Sequence, residues 1–310
     1  MKRIGFLFPG QGSQAVGMGK DFYDRSSLAR EIFGRADETL GYKISRLCFE
    51  GPEEELRLTE NTQPALLIVS TIAYRLWGGE ASIAAGHSLG EYSALVAAGG
   101  LDFEEALVLV HKRGRYMQES VPVGVGAMAA ILGSSYEAVS ECLAKVKTGV
   151  VDLANWNSQE QIVIAGHKEA VEEAIRLINP SRSVFLPVSA PFHSRLMKTA
   201  EDKLAQDLAR ADFHDLAFPL VTNVDAKIIQ KAEEARDSLK RQVSRPVLWH
   251  KSMEVLGQHK IDVCLELGSG KVLAGLMKRI ARGWPTPPVI LSVENWDTLE
   301  KARQVISGLL

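Results

Sequence analysis

The sequence predicts an α/β fold. A large domain over residues 1–125 and 191–310 is built on a parallel-rich sheet, and a small unit is inserted at 126–190. Three observations carry this. A short apolar run at residues 83–85 meets Gly86-His87-Ser88-Leu89-Gly90 and then a small-residue, helix-prone stretch at 92–98. That is the strand, sharp turn and helix of a G-x-S-x-G nucleophile elbow, so the large domain is expected to be α/β-hydrolase-like. Apolar runs alternate with helical patterns on either side of it, as in a layered α/β domain. Between 126 and 190 the texture changes to a β-α-β-β-α-β order, the ferredoxin-like split unit.

The elements follow in order. Residues 4–8 are apolar and strand-like and run into a glycine-rich turn. Helical patterns are expected over 21–36 and 63–77, then the strand at 83–85. Residues 103–119 form an amphipathic helix with Leu107, Val110, Tyr116 and Met117 broadly on one side. The turn at 121–126 opens the inserted unit. There, 127–132 reads as a strand and 135–146 as a helix started by capping serines. Strands at 150–156 and 161–165 flank a polar Asn-Ser turn, 168–178 is a helix stopped by Pro180, and 183–189 is a strand. A long helix at 194–211, strands at 220–224, 263–267 and 289–293, and a closing helix at 299–309 return the chain to the large domain.

Composition bounds the function. The chain has 310 residues, 46% hydrophobic and 24% charged, with a formal net charge of -2. That suits an ordinary globular enzyme and gives no excess charge for nucleic acid or a membrane surface. No run is long enough to span a bilayer, and the start lacks a signal-peptide pattern. Cys48, Cys142 and Cys264 are scattered, which predicts reduced thiols and a cytoplasmic setting. No Cys/His cluster has zinc spacing, so no metal site is expected.

The elbow makes Ser88 the candidate nucleophile. Glycines allow the strained turn, and helix-start N–H groups are placed to receive an oxyanion. Gly10-Gln11-Gly12-Ser13-Gln14-Ala15 matches a dinucleotide fingerprint, but the region that should hold the second strand, 21–36, is polar and helical. It reads better as a ligand loop at a strand end, with the Gln11 amide available to a bound carbonyl. A serine needs a base. Of seven histidines, His87 sits on the wrong side of the elbow, His111 lies mid-helix, His214 is among surface charges and His167 fits a turn. His193 follows a strand end and Pro191-Phe192, where catalytic residues gather, yet pattern alone does not single it out. Arg113 stands beside Gly114 inside a helix, and an interior helical glycine marks close packing or function. Such an arginine could fork onto a carboxylate. An α/β-hydrolase places an acid between its serine and histidine, and no Asp or Glu stands out here.

Together the motifs resemble one family. Residues 8–14, Thr62-Gln63-Pro64-Ala65, 86–92, Arg113-Gly114 with Met117-Gln118, 188–194, Asn155-Trp156-Asn157-Ser158 and Gly268-Ser269-Gly270-Lys271-Val272-Leu273 are similar to the malonyl-CoA:acyl-carrier-protein transacylases over nearly the whole chain. The resemblance implies Ser88 as nucleophile and His193 as base. It implies that a backbone carbonyl at Gln242, rather than a carboxylate, orients His193. The N–H groups of Gln11 and Leu89 would form the oxyanion hole and Arg113 would hold the malonyl carboxylate. Gln63, Met117, Asn157 and Phe192 would line the pocket, with Phe192 in the malonyl-selecting form. The implied reaction moves malonyl from malonyl-CoA to the phosphopantetheine thiol of an acyl carrier protein. It is ping-pong through a malonyl-serine, without metal or redox cofactor, and supplies fatty acid synthesis. A cytoplasmic monomer binding neither nucleic acid nor membrane is expected. The alternative is a discrete acyltransferase or acyl hydrolase of a polyketide assembly line. A non-catalytic carrier-docking module would have lost Ser88, His193 or Arg113, and a plain thioesterase would release free malonate without a carrier.

Overall fold

The computed structural model describes residues 2–122, 124–188 and 190–309. Among these residues ten strands build two sheets. In chain order they are β1 (Ile4–Phe8), β2 (Ile83–Gly86), β3 (Gly126–Leu132), β4 (Val151–Ser158), β5 (Gln161–His167), β6 (Arg182–Phe185), β7 (Leu220–Val221), β8 (Ile228–Ile229), β9 (Val263–Leu267) and β10 (Val289–Val293). The larger sheet runs β10-β9-β1-β2-β7-β8 and is parallel except for the antiparallel β7–β8 edge. Strands β1, β2 and β9 are covered on both sides and carry the apolar residues that a central parallel strand needs, broken only by Glu266 in β9, whose carboxylate accepts from the Leu273 and Ala274 N–H groups.

The helices are α1 (Lys20–Arg25), α2 (Ser27–Leu40), α3 (Ile44–Glu50), α4 (Glu53–Leu56), α5 (Thr59–Trp77), α6 (Gly90–Ala97), α7 (Phe103–Glu119), α8 (Tyr136–Leu143), α9 (Lys168–Ile178), α10 (Lys198–Arg210), α11 (Ala232–Gln242), α12 (Trp249–Gln258), α13 (Val272–Ile280) and α14 (Trp296–Leu309). Helix α5 is buried nearly all round and packs along α7. The two approach so closely that a Cβ on Gly114 would lie 2.5 Å from the Thr59 carbonyl oxygen. Close packing is therefore why a glycine stands beside Arg113. No described helix is long and apolar enough to cross a membrane.

The smaller sheet runs β4-β5-β3-β6, antiparallel throughout, with α8 and α9 against one face. Strand alternation divides its side chains between two cores. Ala129, Ile131, Ile162 and Ile164 pack under α8 and α9, whereas Met128, Ala130, Val163 and Ala165 join the main core. Its β4 edge is continued by the large domain: Val247 donates to the Ala154 carbonyl and accepts from the Trp156 N–H, both at 2.9 Å.

Several expectations need correction. The helix at 21–36 is two helices, because Ser26 adopts an extended backbone and caps α2 with its hydroxyl. The helix at 135–146 ends at Leu143. Asn157-Ser158 is not a turn but the end of β4, and Gln159-Glu160 makes the turn. The strand at 183–189 stops at Phe185, with Ser189 outside the described residues. The helix at 194–211 begins with a 3-10 turn at Arg195–Met197. The strand at 220–224 pairs over two residues only. Helices α3, α4, α11, α12 and α13 were not anticipated.

Candidate active site

Ser88 sits between β2 and α6 with φ of 51°, in the left-handed region that a tight elbow imposes. The flanking glycines are sterically required. A Cβ on Gly86 would lie 1.9 Å from Gly90 backbone atoms, and one on Gly90 would lie 2.0 Å from the Phe8 carbonyl oxygen. The elbow is thereby pressed onto β1 and the loop that follows it.

His193 meets the serine from a different direction. It lies in the loop after β6 with φ of 58° and is 4% exposed. Ser88 Oγ and His193 Nε2 are 2.7 Å apart, and His193 Nδ1 is 2.9 Å from the Gln242 carbonyl oxygen. A carbonyl can only accept, so Nδ1 carries the proton and Nε2 is free to take one from the serine. Burial and the nearby Arg113 charge lower the His193 pKa to about 3, which keeps the ring neutral. No carboxylate touches His193 among the described residues.

Arg113 projects from α7 beneath the serine and is 1% exposed. Its Nη1 donates to Gln63 Oε1 at 2.7 Å, and its Nη2 donates to Gln242 Oε1 at 2.8 Å and to Ser88 Oγ at 3.1 Å. Among the described residues its Nε has no partner and no carboxylate forms an ion pair with it. Burial pulls its pKa down, since a charged group is costly there without an anion.

Gln11, Gln63, Leu89, Met117 and Phe192 line the same cavity of about 100 Å3 as Ser88, Arg113 and His193. The N–H groups of Gln11 and Leu89 find no acceptor among the described residues. The Gln11 side chain instead donates to Thr59 Oγ1 at 3.3 Å. Asn157 is displaced from the expected position. Its Oδ1 pairs with His87 Nε2 at 2.8 Å, and it faces a neighbouring cavity of about 460 Å3 that shares Gln11, His87, Asn155 and Leu186 with the first. Asn155 lines the serine cavity in its stead, because register shifts between Leu153 and Asn155 and between Trp156 and Ser158 turn this end of β4.

Of the remaining histidines, His250 is buried against the Trp156 ring with its Nε2 3.5 Å from Glu254. His111 contacts the Glu60 carbonyl, His167 accepts from the Val150 N–H, and His259 contacts a carbonyl of its own helix. His214 is half exposed beside Asp212. The Cys48 and Cys264 thiols are buried and pushed up to about 12, far from a reactive thiolate.

Two residues escaped the sequence reading. Asn223 Oδ1 accepts from the Ser88 N–H at 2.6 Å. Glu91 is buried one turn beyond the serine, and the Gln242 side chain bridges Glu91, Ser88 and Arg113. Glu91 did leave a signal, a charge within a run of small and apolar residues. Asn223 left none.

The chain's residues 5–269 match the acyl transferase domain family. It is 48% identical over 288 residues to the malonyl CoA-acyl carrier protein transacylase of Escherichia coli strain K12, covering 90% of this chain and 93% of that one. It is 44% identical over 314 residues to the Bacillus subtilis strain 168 protein of the same name, covering 99% and 98%. A solved malonyl-transacylase in complex with its type II PKS acyl-carrier protein superposes with a TM-score of 0.94 at 43% identity, covering 98% of this chain and 99% of that one. With the serine elbow, the carbonyl-held histidine and the unpaired arginine in one cavity, these matches establish that the chain belongs to the malonyl-CoA:acyl-carrier-protein transacylase family.

Proposed function

We propose that this chain transfers malonyl from malonyl-CoA to the phosphopantetheine thiol of an acyl carrier protein, in fatty acid synthesis. The observation that carries the reading is Arg113: a buried guanidinium held by neutral oxygens, against the serine, with no carboxylate paired to it among the described residues. A malonyl carboxylate supplies the missing anion and a forked partner for the guanidinium. His193 Nε2 takes the Ser88 proton as Oγ attacks the thioester carbon. The carbonyl oxygen becomes an oxyanion facing the Gln11 and Leu89 N–H groups. As the tetrahedral centre collapses, the C–S bond breaks and His193 returns the proton to the CoA sulfur. The carrier thiol then attacks the malonyl ester, its proton passing to His193 and from there to Ser88 Oγ. Gln63, Met117 and Phe192 bound the acyl group, and Phe192 closes the space that a branched unit would need.

Residues 126–190 serve as a ferredoxin-like unit, supported by the β4-β5-β3-β6 order with both helices on one face. The flanking residues, 1–125 and 191–310, form an α/β-hydrolase-like large domain, supported by the elbow at the end of a parallel strand. A second reading, service to a polyketide carrier, is favoured by the solved relative that is bound to one. Intact-mass measurement after mixing with malonyl-CoA should show one malonyl group, lost on adding a holo carrier protein. Comparing fatty acid and polyketide carriers as acceptors separates the two readings. Steady release of free malonate with no transfer to any carrier would overturn both.

A further inference from the structure

Glu91 is 1% exposed and lies outside the reacting atoms. A carboxylate only accepts hydrogen bonds, and three donors converge on this one. The Gln242 Nε2 and the Asn223 N–H reach Oε2 at 2.7 and 3.0 Å, and the Ser238 hydroxyl reaches Oε1 at 2.7 Å. Burial raises the Glu91 pKa, while these donors and the Arg113 charge work to hold it ionised.

This arrangement decides which way the Gln242 amide points. Facing an acceptor, Gln242 must present its NH2 to Glu91, and the same NH2 donates to the Ser88 carbonyl at 3.0 Å. Its oxygen is then turned to Arg113 Nη2 at 2.8 Å. Reversed, the amide would set NH2 against a guanidinium and leave a buried donor without an acceptor, which is costly. The His193 anchor is the Gln242 backbone carbonyl, so it does not depend on the amide's sense.

We infer that Glu91 is a positioning residue for acyl selection: it locks the Gln242 amide so that its oxygen holds the Arg113 guanidinium beside Ser88. The inference rests on the acyl-transfer reading above. Its test is Glu91→Gln, which keeps shape but offers both an acceptor and a donor at position 91, so that only the Ser88 carbonyl and Arg113 are left to set the sense of the Gln242 amide. In folded protein, kcat/KM for malonyl-CoA should fall roughly tenfold to a hundredfold, the range for losing a buried charged hydrogen bond. Acetyl-CoA, which does not use Arg113, should change by less than about threefold. The malonyl-to-acetyl ratio is therefore the readout, since a merely structural role would lower both rates together. Ser238→Ala leaves Glu91 Oε1 without a donor, which frees the carboxylate to swing away from Gln242 and should lower the ratio about two- to fivefold, a fraction of the full charged-bond effect. An unchanged ratio or equal losses in folded Glu91→Gln overturn the inference. If that variant does not fold, an unchanged ratio in folded Ser238→Ala overturns it. Wild-type protein that transfers no malonyl to a holo carrier would overturn the transfer reading and this inference together, an outcome visible before any variant is made.

Discussion

The serine and the histidine of this site are held in place by opposite means. Ser88 is fixed locally and sterically: a strand, two glycines with no room for a Cβ, and a helix start, all within residues 83–97. His193 is fixed remotely and by hydrogen bonding. It stands 105 residues from the serine and is steered by the carbonyl of a residue 49 positions further on. Both backbones take positive φ, 51° and 58°, so both carry strain that the surroundings must hold. A nucleophile placed by steric exclusion is legible in a pentapeptide. A base placed by a carbonyl is not, because every residue has one.

The comparison can be broken hardest at the serine. Ser88→Ala should abolish the malonyl-enzyme, read by intact mass and by mapping the adduct to the peptide containing residue 88. A malonyl adduct on Cys48, Cys142 or Cys264 in the wild type would sink the assignment. The buried, high-pKa thiols of Cys48 and Cys264 argue against it.

His193→Ala should slow single-turnover acylation by about a hundredfold or more, what a general base contributes. His111→Ala and His214→Ala should be near neutral, since neither lines the serine cavity. A crippled His250→Ala with an active His193→Ala would move the base elsewhere.

Arg113→Ala should cost malonyl transfer about tenfold to a hundredfold, the loss of a buried forked pair. Acetyl transfer should hold or rise, because the variant removes a buried charge that acetyl leaves unpaired. Arg113→Lys should recover only part, as an ammonium cannot supply the fork. Arg115→Ala, exposed on the same helix, is the control. Equal losses of malonyl and acetyl transfer would show that Arg113 only supports the fold.

What the sequence disclosed follows the same line between local and remote causes. Helix α7 and the strands β1, β9 and β10 are set by short-range periodicity and matched their expected limits. The polar α11 has too little apolar pattern to announce itself, yet it delivers Gln242. The expectation that Asn157 lines the pocket came from family likeness, which does not distinguish it from Asn155 on the same strand. The register shifts in β4, invisible in composition, gave that place to Asn155. The roles of Gln11, Leu89 and Gln242 came from family likeness, since backbone groups leave no mark in side-chain identity.

The smallest expected effect is also the sharpest test of how the remote half is built. An exposed histidine with a pKa of about 6.5 would be some 97% protonated at pH 5, and a base of that kind would lose most of its acylation rate between pH 7.5 and 5. His193 is held at about 3 by burial first and by Arg113 second. It stays neutral throughout that window, so kcat/KM for malonyl-CoA should change by less than about twofold. The stability sign runs the other way. The unfolded chain takes up the histidine proton below pH 6.5 while the folded chain resists, so His193 withdraws about 2 kcal/mol of stability on acidification to pH 5. Glu266 opposes this. Its carboxyl is pushed up to about 7 by burial, so the folded state binds its proton more readily and gains stability as pH falls. Melting temperature therefore mixes two signs, whereas the acylation rate reads only the site, where Glu91 is raised by burial against the pull of its three donors and Arg113, and acetyl-CoA, which does not use Arg113, isolates His193. Arg113→Ala should leave the profile nearly flat, because burial is the larger cause. A rate falling tenfold per unit below pH 6.5 in the wild type would mean that His193 is hydrated in solution and that the remote half of the site is looser than the elbow it serves.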